Sequence, residues 1–364
     1  MMSWATTFYL WECSQFWEHS QNTYIAFMKK HQTTIVDIAR QLGISKSTVS
    51  RALTGHANVH QHTREKILKL AEEMEYERNM FSIGLIKKSS QTLGIIVPEF
   101  SRSFFPQVII GAQQKAKEYG YNLIISQSDE NYETEVANSK VMLVHQVDGL
   151  MVSITKDTKN FDHLKVFQRK GIPIVFFNRV CDEMLVPKVI AEDVEGAFSA
   201  VEHLIKRGKK RIAHLSGPIS LSISKKRQEG YKNALLKYGL PYDESLVVNY
   251  DLKIANVEEH INYFLSLNPR PDAIFAIHDP AGIEAIRILK HRGIRIPEDI
   301  AVVGFSNDVI SSFIEPTLTT VEQPIQELGS VAAKLLIDQI NRNVEDWKAQ
   351  TVLLKTKLIV RNSS

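Results

Sequence analysis

The sequence predicts a small all-α helix-turn-helix head followed by an α/β core of two doubly wound parallel-sheet lobes. Three observations predict this fold class. Two short amphipathic helical patterns are joined at a glycine, positive charge is concentrated around them, and apolar runs then alternate with helical patterns for most of the remaining chain. A chain of 364 residues is long enough for two or three domains.

The helix-turn-helix pattern lies in residues 34–53. Thr34 precedes apolar residues spaced at i, i+3, i+4 and i+7, and it can cap the first helix. Gly43 follows that helix, where a left-handed residue lets the chain turn, and Ser45 can cap a second helix. The second helix of such a pair can enter the major groove of DNA, although this stretch alone also fits a plain helical hairpin with a polar face.

A third helical pattern and a local excess of positive charge favour DNA binding. Apolar residues recur at helical spacing over residues 63–76, and three short helices can bury a small shared core. Residues 28–90 contain eleven Lys and Arg against six Asp and Glu, whereas residues 1–27 contain two acids and no Lys or Arg. Since the whole chain carries only +3, the positive charge belongs to the predicted head.

Residues 1–27 are rich in aromatic side chains but lack the basic start and continuous apolar core of a secretory signal. Met28 begins a more ordinary bacterial N-terminus, so we expect residues 1–27 to be a non-native extension; an aromatic interaction segment is the alternative. Two cysteines, Cys13 and Cys181, fit a reducing cytosol. No apolar run approaches the ~18 residues of a membrane span, so we expect a cytoplasmic protein without membrane partners.

The core is predicted over residues 92–364. Its apolar runs are 93–97, 122–125, 150–154, 174–177, 211–215, 273–277 and 300–305. The helical patterns between them lie near 105–119, 133–146, 160–170, 195–207, 225–238, 256–267 and 281–292. Strands that are apolar on both faces belong in parallel sheets covered by helices. The alternation is too long for one ordinary sheet, so we expect two lobes with a ligand cleft at the carboxyl ends of their strands.

Motifs of several common enzyme classes are absent. The sequence contains no P-loop, no dinucleotide fingerprint after the first strand and no Gly-x-Ser-x-Gly elbow. The histidines of 56–62 read as polar loop residues, with a metal site as the weaker alternative. The carboxylates of 129–133 read as a solvated helix start. We therefore expect no catalysis, no cofactor and no metal site.

Several separate motifs resemble the LacI/GalR (lactose-repressor) family of bacterial transcription regulators, from about Thr34 to the C-terminus. In the head they are TIVDIA at 34–39, GISKSTVSRAL at 43–53 and TREKI at 63–67. In the core they are NRV at 178–180, EGAF at 195–198, HLI at 203–205, KKRIAHLSG at 209–217, RQEGY at 227–231, PDAIFA at 271–276, IPEDIAVVGF at 296–305 and LTTVEQP at 318–324. Each motif is weak alone, but their shared order and spacing are highly specific.

This resemblance implies that the head, residues 28–79, binds a palindromic double-stranded operator as a homodimer, with one half-site per subunit. The implied base-edge contacts are Lys46, Ser47 and Arg51, the implied phosphate contacts are Thr34, Thr48 and Ser50, and Ser45, His56, Asn58 and Leu85 complete the implied DNA-contacting set. Arg51 is the best candidate for a bidentate contact to guanine, worth about 1–3 kcal/mol of discrimination.

Residues 80–91 would form the family's hinge helix or linker, in which a leucine enters the minor groove. Leu85 stands at that position, and packing against the third helix is the alternative. The usual Ala-Arg-Ser-Leu reads Ser82-Ile83-Gly84-Leu85 here, and Gly84 weakens an isolated helix by about 1 kcal/mol. We therefore expect weaker operator affinity than an ordinary hinge sequence would give.

The core would resemble a periplasmic sugar-binding protein whose bound effector biases the dimer toward or away from DNA. The implied effector contacts are Phe104, Phe105, Arg179, Arg227, His278, Asp279, Ser306 and Asn307. Three of them have open alternatives. Phe104 could belong to the core, Arg227 could form a surface ion pair with Glu229 or another acid, and Asp279 could cap a helix before Ala281.

Two departures from the family pattern leave the ligand class open. His278-Asp279 replaces the usual Asn-Asp, and Ser306 replaces an aspartate that often binds sugar hydroxyls. The chain has no heptad tail, which favours a dimer over a tetramer. The expected function is a ligand-responsive, sequence-specific DNA-binding regulator, a repressor of a carbohydrate-related operon. The alternative, a solute-binding protein with the same two-lobed core, would have no use for residues 33–79.

Overall fold

The computed structural model describes residues 33–76 and 89–364, which belong to two separate compact units. We call them the head and the core, and each is described by itself. The proposed extension, residues 1–27, lies outside the described residues. Leu85 and most of the predicted hinge, residues 80–91, also lie outside them, so the predictions for these segments stay predictions.

The head contains the three predicted helices: α1 Ile35–Leu42, α2 Lys46–Leu53 and α3 Gln61–Glu73. Thr34 and Asp37 form a reciprocal capping box at the start of α1, which satisfies backbone N–H groups that have no partner within the helix. Gly43 ends α1 in the left-handed conformation, with φ of 65°. The side chain of Ser45 caps α2 by accepting a hydrogen bond from the Thr48 N–H. The three capping predictions for this motif are thus confirmed.

The predicted bounds of the third helix, 63–76, were too late at both ends. It begins at Gln61 after His60, whose side chain makes no capping hydrogen bond, and it ends at Glu73. Glu75 has φ of 49°, so the chain has already left the helical conformation there. Without a side-chain cap, the apolar spacing alone did not locate the first turn.

One shared apolar core holds the three head helices together. Ile38 of α1, Val49 of α2 and Ile67 of α3 are completely buried, and small alanines pack around them. Val59, in the loop before α3, is also buried in this cluster. Because so little apolar surface is available in a three-helix unit, each of these contacts is a large share of its stability.

The core contains two six-stranded sheets, one per lobe, as the sequence predicts. The strands of the first lobe are β1 Thr92–Val97, β2 Asn122–Gln127, β3 Gly149–Val152, β4 Ile174–Phe177, β5 Lys188–Ala191 and β11 Thr351–Leu354. Those of the second lobe are β6 Ile212–Ser216, β7 Val247–Asn249, β8 Ala273–Ala276, β9 Ala301–Ser306, β10 Thr319–Glu322 and β12 Lys357–Ile359. The sheet orders are β11-β5-β4-β3-β1-β2 and β12-β10-β9-β8-β6-β7. Only the β10–β12 pair is antiparallel among the described strands.

Helices cover both faces of each sheet. The first lobe carries α4 Phe104–Glu118, α5 Tyr132–Val144, α6 Asp162–Arg169 and α11 Ile325–Ile340. The second carries α7 Asp193–Lys206, α8 Ser222–Lys237, α9 Val257–Ser266 and α10 Asp279–His291. Two apolar clusters per lobe fill the space between sheet and helices. No helix in the described ranges is long and apolar enough to cross a membrane.

The chain passes between the lobes three times: from β5 to α7, from β10 to α11 and from β11 to β12. Each passage joins the edge region of one sheet to an element of the other lobe. The lobes are thus connected by three short segments rather than one, which favours a hinge motion over free rotation. This connection places the carboxyl ends of both parallel sheets around one cleft.

Candidate DNA-binding head and effector cleft

The outward face of α2 presents unpaired cations. Lys46, Ser47 and Arg51 are exposed, while Thr48 and Ser50 are half-buried. Within residues 33–76 and 89–364, neither Lys46 nor Arg51 forms an ion pair with an acidic side chain. Exposed cations and small hydroxyls on one face of the second helix are what a major-groove contact requires.

Two of the predicted DNA-contacting hydroxyls already serve the helix starts. The Thr34 hydroxyl donates to the Asp37 carboxylate at 2.6 Å. The Ser45 hydroxyl lies 2.7 Å from that of Ser47 and 2.8 Å from that of Thr48. A helix N-terminus held in this way points free backbone N–H groups outward, where they can bind phosphate.

The loop between α2 and α3 holds the other predicted contacts. His56 and Asn58 are exposed there. Arg64 of α3 donates to the His56 carbonyl, which fixes the loop against the third helix. Nine of the ten predicted DNA contacts are thus the N-caps of α1 and α2, residues of α2 itself, and residues of this loop; the tenth, Leu85, lies outside the described residues.

A cleft of about 620 Å³ lies between the two lobes of the core. Loops after β1 and β4 and the passage from β10 to α11 line it from the first lobe, and α8 and the loops after β8 and β9 line it from the second. Its lining includes six of the predicted effector residues: Phe104, Phe105, Arg179, Arg227, His278 and Ser306.

Arg227 reaches the cleft from α8 and is almost completely buried. Its guanidinium pairs with Asp193 at 2.8 Å, donates to the Ile277 carbonyl at 2.5 Å and lies 3.8 Å from the centre of the Phe305 ring. The alternative of a surface ion pair with Glu229 or another acid is therefore right about an acidic partner, which is Asp193, and wrong about the surface position. A paired and stacked guanidinium has a fixed orientation, which suits it to hold a ligand oxygen.

Arg179 follows β4 and is held by Glu130, whose carboxylate accepts from Nη1 at 2.7 Å. It also lies 5.7 Å from the centre of the Phe105 ring. The solvated helix start predicted for 129–133 is therefore wrong at Glu130, which has this partner, and α5 is capped instead by Asn131. The Nε of Arg179 is buried without a hydrogen-bond partner among the described residues.

Asp279 is buried beneath the cleft rather than in its lining. Its carboxylate accepts hydrogen bonds from the hydroxyls of Thr320 and Ser311 and from the Asp308 N–H. Burial raises the pKa of Asp279 to about 6. The cap of α10 is His278, whose Nδ1 accepts from the Ala281 N–H at 3.1 Å, so the alternative of a helix cap at Asp279 is wrong.

Asn307 also lies outside the cleft lining. Its amide donates to Glu322 at 2.9 Å and accepts from Arg361 at 2.7 Å, and both partners belong to the second lobe. With Asp279 it fixes the loop after β9, from which Ser306 and Asp308 face the cleft. The structure thus places neither Asp279 nor Asn307 in the cleft lining, although both were predicted to contact the effector directly.

Sequence reasoning missed several residues of the cleft lining: Glu99, Arg102, Ser103, Asn178, Ile223, Leu252, Ile277, Pro280, Asp308, Gln323 and Ile325. A usable signal existed for some of them. Asn178 and Gln323 directly follow β4 and β10, and Asp308 stands two residues after β9. Polar residues at the carboxyl ends of parallel strands border the ligand crevice of such sheets, so this rule could have found them.

Side chains join the two lobes across the mouth of the cleft. Arg102 of the first lobe donates to the Leu252 carbonyl of the second at 2.8 Å. The Ser103 hydroxyl donates to the Asp308 carboxylate at 2.6 Å. A ligand that contacts both lobes would thus bind an arrangement that these hydrogen bonds already favour.

Both units match known families. The family described as "Bacterial regulatory proteins, lacI family" matches residues 34–79. The family described as "Periplasmic binding proteins and sugar binding domain of LacI family" matches residues 90–359. The chain belongs to the LacI family. It is accordingly a DNA-binding transcription regulator with a separate effector-binding core.

The matches to individual LacI-family relatives span nearly the full length of those relatives. Catabolite control protein A of Priestia megaterium is 34% identical over 86% of this chain and 94% of the relative. The ribose operon repressor of Halalkalibacterium halodurans is 32% identical over 91% of this chain and 97% of the relative. A solved structure described as the transcriptional regulator CelR–cellobiose complex is 28% identical, covers 92% of this chain and 100% of that one, and has a TM-score of 0.69.

Proposed function

We propose that this protein represses a carbohydrate-related operon by binding a palindromic operator, and that a small effector in the core cleft controls this binding. The exposed, unpaired cations of α2 carry the proposal, because a solute-binding protein would have no use for them. The relatives named for a ribose operon and for a cellobiose complex support a carbohydrate-related effector. Binding to a chromosomal operator would place the protein in the cytoplasm. Repression by binding alone requires no catalysis.

Control by the effector follows from the position of the cleft. A ligand held by side chains of both lobes changes the equilibrium between lobe arrangements only if it binds one arrangement more tightly. Phe104 and Arg179 line the cleft from the first lobe, and Arg227 and His278 line it from the second. The ligand can therefore favour one arrangement and change operator affinity by the same coupling free energy.

Operator recognition can be tested with the protein's own preferred duplex, selected from a random-sequence pool. Arg51→Ala should weaken binding to that duplex about tenfold or more, since a bidentate guanine contact is worth about 1–3 kcal/mol. Competition titrations against point-substituted duplexes should show relaxed discrimination at one guanine in each half-site.

Lys69→Ala is the matched control, because Lys69 is an exposed cation of α3 that pairs with Glu73. It should change affinity little and leave base discrimination intact. Equal losses of duplex affinity in the two variants would contradict the proposed recognition. A wild-type protein that selects no duplex, with or without added ligands, would also contradict it.

Assembly as a homodimer is part of the proposal, because a palindrome needs two heads. A patch on the second lobe exposes Phe313 by 80%, Val309 by 65% and Ile310 by 56%. Contiguous exposed apolar side chains mark an interaction surface. Phe313→Asp should therefore shift the wild-type dimer toward monomer in light scattering after size exclusion.

The control for this experiment is Leu185→Asp, which charges another exposed apolar residue, 85% exposed, in the loop between β4 and β5. It should remain dimeric. A monomeric wild type, or a Phe313→Asp variant as dimeric as Leu185→Asp, would refute the assignment of this patch.

A further inference from the structure

Hydrogen-bond donors outnumber acceptors at one corner of the cleft. His278 of the second lobe lies there with Nε2 3.0 Å from the Tyr250 hydroxyl and 3.3 Å from Nη1 of Arg102, which comes from the first lobe. We call these three residues the donor corner. Whether a polar atom donates or accepts a hydrogen bond there follows from the other hydrogen bonds of the same side chain.

The hydrogen position on His278 is decided by the helix that it caps. Its Nδ1 accepts a hydrogen bond from the Ala281 N–H, so Nδ1 carries no proton. Burial and the charge of Arg102 lower the pKa of His278 to about 3, so the ring is neutral at physiological pH. A neutral ring without a proton on Nδ1 carries it on Nε2. His278 therefore presents a donor to the corner.

The neighbours of Nε2 do not balance this donor. The Tyr250 oxygen can accept from it, which leaves the Tyr250 hydroxyl hydrogen without an acceptor among the described residues. Arg102 can only donate; one of its nitrogens is satisfied by the Leu252 carbonyl, and its Nε lies 4.0 Å from the Glu99 carboxylate. Arg102 Nη1 and the Tyr250 hydroxyl hydrogen, both beside His278 Nε2, have no hydrogen-bond acceptor among the described residues.

The other guanidinium groups of the cleft lining, those of Arg179 and Arg227, are each paired with an acidic side chain. Hydrogen-bond acceptors line other parts of the cleft. The side-chain oxygen of Gln323, a residue only 4% exposed, has no hydrogen-bond partner among the described residues, while its nitrogen donates to Ser306 at 2.9 Å. Glu99 and Asp308 also line the cleft with carboxylates. Both carboxylates already accept from a serine hydroxyl, that of Ser101 or Ser103, and their oxygens can accept further hydrogen bonds from ligand hydroxyls.

We propose that the effector is a hydroxylated small molecule that carries an anionic oxygen group, a carboxylate or a phosphate, and that this group binds the donor corner. Such a group accepts hydrogen bonds without donating any, which matches Arg102 Nη1 and the hydrogen of the Tyr250 hydroxyl, whose oxygen takes the His278 Nε2 proton. The inference rests on the proposed function only in placing the effector in this cleft.

The first test uses inorganic sulfate as a simple acceptor-only anion and the full chain. The thermal midpoint is measured in sodium sulfate and in sodium chloride at equal ionic strength. The general salting effect of sulfate is common to all variants. Sulfate bound at a specific site should raise the thermal midpoint of the wild type further, because a ligand that binds only the folded state stabilises that state. Arg102→Gln and His278→Asp should lose this added increment, because the first change removes the guanidinium and the second replaces the Nε2 donor with a carboxylate that can still cap α10.

Exposed residues of the same types supply the controls, Arg207→Gln and His291→Asp. Both should keep the wild-type increment. An identical sulfate increment in the wild type and in all four variants would overturn the donor corner as an anion site, and this result does not depend on whether the protein binds DNA.

The second test distinguishes the two anion sources with matched ligands: glucose against glucuronate and glucose 6-phosphate, and galactose against galacturonate. We expect either the carboxylates or the phosphate to bind at least tenfold more tightly than the corresponding neutral sugar, as measured by calorimetry. His278→Asp should bring that ratio close to one, because a carboxylate can keep the helix cap but presents only acceptors to the corner. Neutral sugars that bind as tightly as their acids, or a preference that survives His278→Asp, would refute the proposal.

Discussion

Replacing Gly329 with alanine is expected to lower the free energy of unfolding of the core by about 3 kcal/mol. An ordinary glycine-to-alanine change inside a helix has the opposite sign and adds about 1 kcal/mol. Gly329 lies in α11, where a Cβ atom would come within 1.9 Å of the Val108 carbonyl oxygen of α4. The obstacle is backbone, so the two helices would have to move apart.

The contact is reciprocal, which raises the expected cost. A Cβ at Gly111 of α4 would come within 1.9 Å of the Gln326 carbonyl oxygen of α11. The helices thus cross at their backbones, and α11 follows directly from a passage between the lobes. Once one alanine has separated the helices, the second clashes less. The double variant should therefore lose less free energy of unfolding than the two single variants lose together.

Urea unfolding followed by circular dichroism would measure these changes. Gly282→Ala is the control, because Gly282 is also a helix-interior glycine, but its nearest neighbours are the flexible ends of Leu318, at 3.2 Å. That change should stay within about 1 kcal/mol of the wild type. A Gly329→Ala variant as stable as Gly282→Ala would contradict the close crossing.

Locally encoded features were predicted well from the sequence. β4 was predicted with its observed bounds, because four consecutive apolar residues form a strand buried on both faces. The caps at Thr34 and Ser45 were also confirmed, since a side chain that binds a backbone N–H three residues later acts over a short distance. Predictions of this kind need no knowledge of the rest of the fold.

Elements that depend on distant partners were missed. These are the strands β5, β7, β10, β11 and β12. The helix α11 was missed as well, although its buried residues Leu328, Ala332 and Leu336 recur at helical spacing. β11 pairs with β5, although it is far along the chain. Strands such as Thr319–Glu322 carry polar residues that are buried only because a neighbouring strand and the C-terminal residues cover them. Short polar runs of this type have no periodicity of their own, so sequence patterns do not separate them from loops.

Candidate site residues divide in a similar way. The resemblance led to Phe104, Arg179 and Arg227, and the structure brings them to one cleft. It did not reveal that Asp193 is the partner of Arg227, or that Arg102 crosses between the lobes. Such pairings join residues far apart in sequence, so no spacing rule identifies them.

A second large effect should appear when the pH is lowered. His214 is completely buried in the second lobe, where Nδ1–H donates to the Phe275 carbonyl at 3.0 Å and the ring stacks on Phe275 and Tyr231. Its Nε2 has no partner among the described residues, so no group there stabilises a second proton. Burial lowers the pKa of His214 to about 4.

The sign of the resulting pH dependence follows from linkage. In the unfolded chain His214 has a pKa near 6.5, so the unfolded state binds a proton at a higher pH than the folded state does. The stability contributed by neutral His214 is complete above pH 6.5 and is lost as the pH falls toward 4. At pH 5 the loss from this residue should be about 2 kcal/mol.

Asp279 acts in the opposite direction, because its raised pKa of about 6 lets the folded state gain a proton first as the pH falls. The total pH dependence therefore mixes several groups, and the informative quantity is the difference between the wild type and His214→Phe. Phenylalanine keeps the aromatic stack but loses the hydrogen bond to Phe275, so the variant should be less stable than the wild type at pH 7.5. Between pH 7.5 and 5 it should lose about 2 kcal/mol less in urea unfolding. Parallel pH profiles would show that His214 charges in the folded lobe as readily as in the unfolded chain, which its buried, unpartnered Nε2 argues against.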